Sequence, residues 1–228
     1  MSTLAVGLGA GRTARFYQGA IGKKIVMAAT GFVLFGYVLA HLIGNLQIYL
    51  GPERINAYAR FLHSMPPLLW TARIVLLACV VLHIVSSVQL WALNRAARPD
   101  RYVKTQNVPA GYASRTMLWS GPIIGFFVLF HILHLTTGSV NLPFQELDVY
   151  NNVVNGFRIL PVSITYIVAM ILLSMHLYHG LWSMFQTLGV SHPRYTPWLK
   201  RFAAAFAIFI AVGNISIPVA VLAGLVGS

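Results

Sequence analysis

Long runs of apolar residues dominate the chain, and polar residues gather almost entirely between them. The runs cover Lys24–Leu46, Leu68–Leu93, Thr116–Thr137, Ile159–Leu188 and Phe202–Leu225, with ends blurred by a few residues. At a rise of about 1.5 Å per residue, each is long enough to cross the roughly 30 Å hydrocarbon core of a bilayer. Backbone polar groups in lipid need partners within their own segment, so runs of this length predict helices. The predicted fold class is an all-α membrane protein with five transmembrane helices. A single domain over residues 23–228 is expected to contain all the spans, after a cytoplasmic N-terminal segment over residues 1–22. Pro52–Pro66 is mixed rather than continuously apolar and predicts a short outer helix near the interface.

Composition supports the pattern. The chain is 57% hydrophobic and only 9% charged, whereas soluble domains carry about 25% charged residues. A net charge of +12 raises the question of nucleic acid. The basic residues form no stripe on a soluble face. They fall in connections, which points to membrane lipids and away from nucleic acid. Arg12, Arg15, Lys23 and Lys24 precede the first span, and Arg95, Arg98, Arg101, Lys104 and Arg115 against Asp100 join the second to the third. Arg194, Lys200 and Arg201 join the fourth to the fifth. The other connections are nearly balanced, with Glu53, Arg54 and Arg60 in one and Glu146, Asp148 and Arg158 in the other. The positive-inside rule places the N-terminus in the cytoplasm and the C-terminus outside, in a multi-pass protein of the cell's inner membrane. The N-terminus does not read as a secretory signal, because Arg12 and Arg15 follow the first apolar stretch instead of preceding it. Cys79 is the only cysteine and reads as a small core residue, so this chain alone supplies no disulfide and no iron–sulfur ligand set.

The candidate chemistry lies in the histidines. His41, His83, His131, His134, His176 and His179 all fall inside predicted spans. An ionisable side chain in hydrocarbon is costly, so each marks a functional hypothesis against the plainer reading of an interhelical hydrogen bond. Haem b needs two axial imidazoles from opposite sides of its ring, usually from different helices. Depth tests for such pairs. His41 lies about 25 Å beyond Lys24 along a helix, and His131 about 24 Å beyond Arg115, both toward the outer face. His83 lies about 18 Å from Arg95, and His176 about 20 Å from Gly189, both nearer the cytoplasm. His134 and His179 share a helix face with His131 and His176, and depth alone does not choose between neighbours. Gly44 and Gly180 sit within a turn of His41 and His176, where a porphyrin needs close backbone approach. A zinc site would want its ligands clustered at one point. The spans carry no carboxylate and the histidines split over two depths, which weighs against zinc.

The chain resembles a known family through several segments taken in order. They are His41–Leu42–Ile43–Gly44–Asn45–Leu46, Leu50–Gly51–Pro52–Glu53 with Asn56–Ala57–Tyr58, and His83 followed by Asn94–Arg95 and Arg98–Pro99. Ser114–Arg115–Thr116–Met117 with Gly121 and His131 come next, then His176–Leu177–Tyr178–His179–Gly180–Leu181–Trp182–Ser183. Together they resemble the di-haem cytochrome b membrane-anchor subunit of succinate dehydrogenases and fumarate reductases, the five-helix cytochrome b-558 type. The likeness covers about residues 20–215 and rests on order and spacing. It implies that the first four helices form a bundle around two haem b groups. His41 and His131 would be the axial ligands of the outer, distal haem, and His83 and His176 those of the inner, proximal haem. It also implies a flavoprotein subunit and an iron–sulfur subunit docked on the cytoplasmic face, and a membrane quinone as acceptor, with menaquinone favoured. Some menaquinol:fumarate reductases of this family carry a glutamate two residues before the fourth-helix ligand. Ser174 stands there in this chain, which tilts the reading from fumarate reduction toward succinate oxidation.

Other residues have two readings each. Glu53 is a candidate proton-exchanging group near a quinone, or a solvated loop acid paired with Arg54 or Arg60. Arg73 is a candidate haem-propionate contact, or snorkels to the interface. Ser86, Ser87 and Gln89 read as interhelical polar contacts or propionate contacts. Trp70, Trp91, Trp119, Trp182 and Trp198 read mainly as interfacial residues. The expected function is that of an electron-transfer subunit, not catalytic toward succinate by itself. The alternatives are a cytochrome b anchor of a fumarate reductase, hydrogenase or formate dehydrogenase, and a transporter with a histidine-lined proton path.

Overall fold

The computed structural model describes residues 16–97, 112–140 and 143–227, and for 112–115 the backbone alone. The expectations for Arg12, Arg15, Arg98, Asp100, Arg101, Lys104 and the Arg115 side chain lie outside the described residues, as does most of segment 1–22. The described residues are helical and contain no strand. Five helices are long and apolar enough to cross a membrane. These spans are α1 (Ala20–Asn45), α3 (Pro66–Ala96), α4 (Tyr112–Leu135), α6 (Leu160–Thr187) and α7 (Thr196–Leu222). Two shorter helices, α2 (Pro52–His63) and α5 (Val149–Arg158), cover one end of the bundle. The sequence pattern located α2 but gave no separate helix at α5, which is short and too polar to register as a span.

Local sequence fixes the ends. Proline occupies the first turn of α2, α3, α6 and α7. Its missing N–H has no intrahelical partner to lose there, and its fixed φ suits the start. Gly51, at φ 93°, turns the 3₁₀ segment Leu46–Leu50 into α2. Gly189, at φ 77°, stops α6, and the Val190 N–H reaches back to the Phe185 carbonyl. That is the glycine-terminated ending which satisfies the last helical carbonyls.

The spans pack in the order α3, α1, α6, α4, with α7 against α6 and α1. The pairs α1/α4 and α3/α6 share no extended backbone contact, so each faces its partner across the interior. Fully buried Leu42 of α1 lies against Gly213 of α7, where an added Cβ would fall 2.8 Å from its Cδ2. A small residue there lets the two backbones approach, the usual means of association between helices in lipid. Gly44 serves a similar purpose. Its Cβ would fall 2.8 Å from the Tyr58 ring of α2, so its smallness lets that aromatic ring pack against α1.

Polar bonds hold α2 and α5 together at the covered end. Asn56 Nδ2 donates to Asp148 Oδ1 at 2.9 Å, and Tyr150 N donates to Asn56 Oδ1 at 3.0 Å. Asp148 also caps α5, accepting from Asn151 N at 3.3 Å and Asn151 Nδ2 at 2.7 Å. Partial burial raises the pKa of Asp148, but the bonds from Asn151 and Asn56 outweigh it and hold the carboxyl below its ordinary value. A depressed folded-state pKa contributes stability above the unfolded value, about 3.9, which is lost as pH falls through the folded one. Asp148→Asn should therefore be less stable than wild type near neutral pH. The gap should close as the pH drops below about 4, measured by thermal unfolding in detergent at several pH values. A gap independent of pH would show that the charge of Asp148 contributes nothing to the cap.

Candidate functional site: two facing histidine pairs

The two diagonals of the bundle carry histidines. His41 of α1 faces His131 of α4, with ring centroids 5.7 Å apart and planes at 89°. His83 of α3 faces His176 of α6, with centroids 6.3 Å apart and planes at 58°. The pairs lie at different depths, and two helices measure the interval. On α1, a Cβ added at Gly31 would fall 3.4 Å from the His83 ring, and His41 follows about 15 Å further along the axis. On α6, the Tyr166 hydroxyl lies against His131, and His176 follows at the same interval, about 15 Å. His41 and His131 sit toward the end covered by α2 and α5.

Hydroxyl groups from neighbouring helices meet one histidine of each pair. Thr30 Oγ1 donates to the Val26 carbonyl at 2.7 Å, which leaves its oxygen to accept Nδ1–H of His83 at 3.2 Å. That bond favours the tautomer with a bare Nε2, the form in which imidazole binds a metal. The Tyr166 hydroxyl lies 3.2 Å from His131 Nδ1 and 2.9 Å from His134 Nδ1. Nδ1 of His176 is buried without a hydrogen-bond partner, a polar atom that a bound group or ordered water would satisfy.

These residues fit a haem better than a clustered metal ion. Two imidazoles on opposite sides of one iron, with metal–nitrogen bonds of about 2 Å, stand with their centroids roughly 6 Å apart. Both pairs have that spacing. Among the described residues, no three of His, Cys, Asp and Glu gather at one point. An added Cβ at Gly180, a turn from His176, would meet nothing within 4 Å, so the backbone is open there.

The neighbouring histidines differ in their surroundings. His134 is 1% exposed, stacks on Phe130 with centroids 5.4 Å apart and planes at 6°, and is bonded to Tyr166. Its environment is that of a packed structural side chain. His179 is half-buried and forms no facing pair with another histidine among the described residues.

Arg73 is half-buried on α3, and its guanidinium lies 5.1 Å from the centre of the Trp70 ring. Tyr37 of α1 stacks on His41 with centroids 5.3 Å apart. Glu53 is exposed in the first turn of α2, where the helix dipole favours its charge. Ser174 Oγ donates to the Ala207 carbonyl of α7 at 2.8 Å, so this position faces α7. Ser86 is fully buried and bonds the Tyr17 hydroxyl at 3.3 Å, while Oε1 of Gln89 is buried without a partner.

The sequence reading missed Thr30 and Tyr166, since attention to ionisable groups passes over hydroxyls. Depth could have found Tyr166, which lies about as far into its span as His131 does from the same end. Comparison with known protein families, with curated proteins and with solved structures finds no match. The contrast between the two neighbouring histidines is testable. His134→Ala leaves a buried phenol short of a partner and should lower stability by about 1–3 kcal/mol. His179→Ala should stay within about 0.5 kcal/mol of wild type. Unfolding by denaturing detergent measures both, and equal losses would contradict the assignment.

Proposed function

We propose that this chain is the di-haem cytochrome b anchor of a succinate:quinone oxidoreductase in the cell's inner membrane. The observation that carries the proposal is the pair of facing imidazole couples, at the spacing of axial ligands and at two depths. His41 and His131 would hold the outer haem, and His83 and His176 the inner one. When bound, two haems supply one-electron relays between a donor on one side and a quinone, which menaquinone fits on family grounds.

The chain's own residues serve that task in identifiable ways. Thr30 orients His83, and Tyr166 touches His131. Arg73, half-buried near the start of α3, is suited to pair with a propionate of the outer haem. Glu53, exposed on α2 at the same end, is suited to exchange protons with a quinone. At the opposite end Arg95 lies over Trp91, Lys200 over Trp182 and Arg201 over Trp198. This basic end suits the cytoplasmic side by the positive-inside rule, with the N-terminus inside and the C-terminus outside. It also suits docking of a flavoprotein subunit and an iron–sulfur subunit nearest His83 and His176. The choice of succinate rests on the sequence resemblance and on Ser174 in place of a carboxylate.

The purified protein should contain two b-type haems by pyridine haemochrome assay. His41→Ala and His131→Ala should each lose the same haem, and His83→Ala and His176→Ala the other. A haem-free preparation would end the reading and favour a proton-path transporter. Extraction in mild detergent should bring down a flavoprotein and an iron–sulfur protein, after which succinate reduces the haems. A hydrogenase or formate dehydrogenase in their place would retain the haem assignment and refute the succinate one.

A further inference from the structure

The Tyr166 hydroxyl touches two imidazoles at once, 2.9 Å from Nδ1 of His134 and 3.2 Å from Nδ1 of His131. A phenol has one proton to donate and lone pairs to accept with. Both bonds form, with the phenol proton used, only when one imidazole is protonated on Nδ1 and the other on Nε2. Position separates the two arrangements, because His131 faces His41 across the bundle whereas His134 is stacked on Phe130. With His131 as an axial ligand its Nε2 is bare, its proton sits on Nδ1 and is donated to the Tyr166 oxygen, and the phenol proton goes to His134.

The phenol is held where it stands. Tyr166 is 6% exposed, and its ring meets the edges of Phe157 at 4.7 Å, Phe127 at 5.0 Å and Phe130 at 5.9 Å between centroids. His134 is stacked on Phe130 and 1% exposed. The inner pair repeats the arrangement, with the Thr30 hydroxyl of α1 at Nδ1 of His83.

We propose that Tyr166 is the positioning residue of the outer pair, fixing His131 and not His134 as the imidazole with a bare Nε2, while its oxygen, by accepting Nδ1–H, makes that Nε2 a stronger donor. The proposal rests on reading His41 and His131 as axial ligands. A partner that accepts the far N–H of an axial imidazole raises ligand basicity and favours the oxidised metal. Losing it raises the reduction potential.

Tyr166→Phe keeps the ring and its aromatic contacts and removes only the hydroxyl. In the intact complex, the variant should retain both haems. The midpoint potential of the outer haem, identified as the one lost in His41→Ala, should shift upward and its ferric EPR signal should move. The inner haem should be unchanged. Thr30→Val should do the reverse, moving the inner haem alone. An unchanged outer haem in Tyr166→Phe, or equal shifts of both haems, would overturn the proposal. Were the wild-type protein haem-free, the functional reading would fall. The proposal would then be decided by ¹⁵N-histidine NMR of the full chain, with opposite tautomers expected for His131 and His134 in wild type and lost in Tyr166→Phe. Identical tautomers in wild type would overturn it.

Discussion

Imidazole in hydrocarbon has two ring nitrogens and no water to satisfy them, and the interior of this protein is arranged around that constraint. An unsatisfied buried polar group costs about 1–3 kcal/mol. Six such rings in the spans represent an expense that packing alone does not require. The bundle turns four of them toward one another across its two diagonals. It satisfies the far nitrogen of His83 and of His131 with a hydroxyl from an adjacent helix. His134 shares the second of those hydroxyls.

The diagonal arrangement follows from the helix order. In the order α3, α1, α6, α4, neighbours pack directly and diagonal partners stand apart. Close approach is confined to contacts outside the histidine pairs, as where Gly213 of α7 meets Leu42 of α1. The fifth span, α7, carries no histidine and buttresses α6 and α1, even binding Ser174 through its backbone.

The two ends of the molecule are chemically distinct. One is covered by α2 and α5, linked through Asn56 and Asp148. The other carries lysine and arginine set over aromatic rings. Cation–aromatic contacts of this kind suit an interface where one end of a side chain is wet and the other is not.

Much of this was legible in the sequence, for a physical reason. Crossing a bilayer demands an unbroken apolar run, so the five spans appear as composition, and their ends fall within a few residues of the helices. Carboxylates are absent from those runs and Lys24 and Arg73 stand near their ends, so six histidines stand out, and a rise fixed by helix geometry converts position into depth. What sequence could not decide is rotation about each helix axis, because a span that meets lipid or protein on every side shows little amphipathic period. Only the packed bundle determined that His41 turns toward His131, that His134 is stacked away on Phe130, and that Gly44 lies against Tyr58. Thr30 and Tyr166 were hidden for the same reason, since a hydroxyl in a span costs little and acquires its partner only through the angle at which its helix faces the next. The short helix α5 was passed over because ten residues are too few to register as a span, and it packs against α2, α4, α6 and α7.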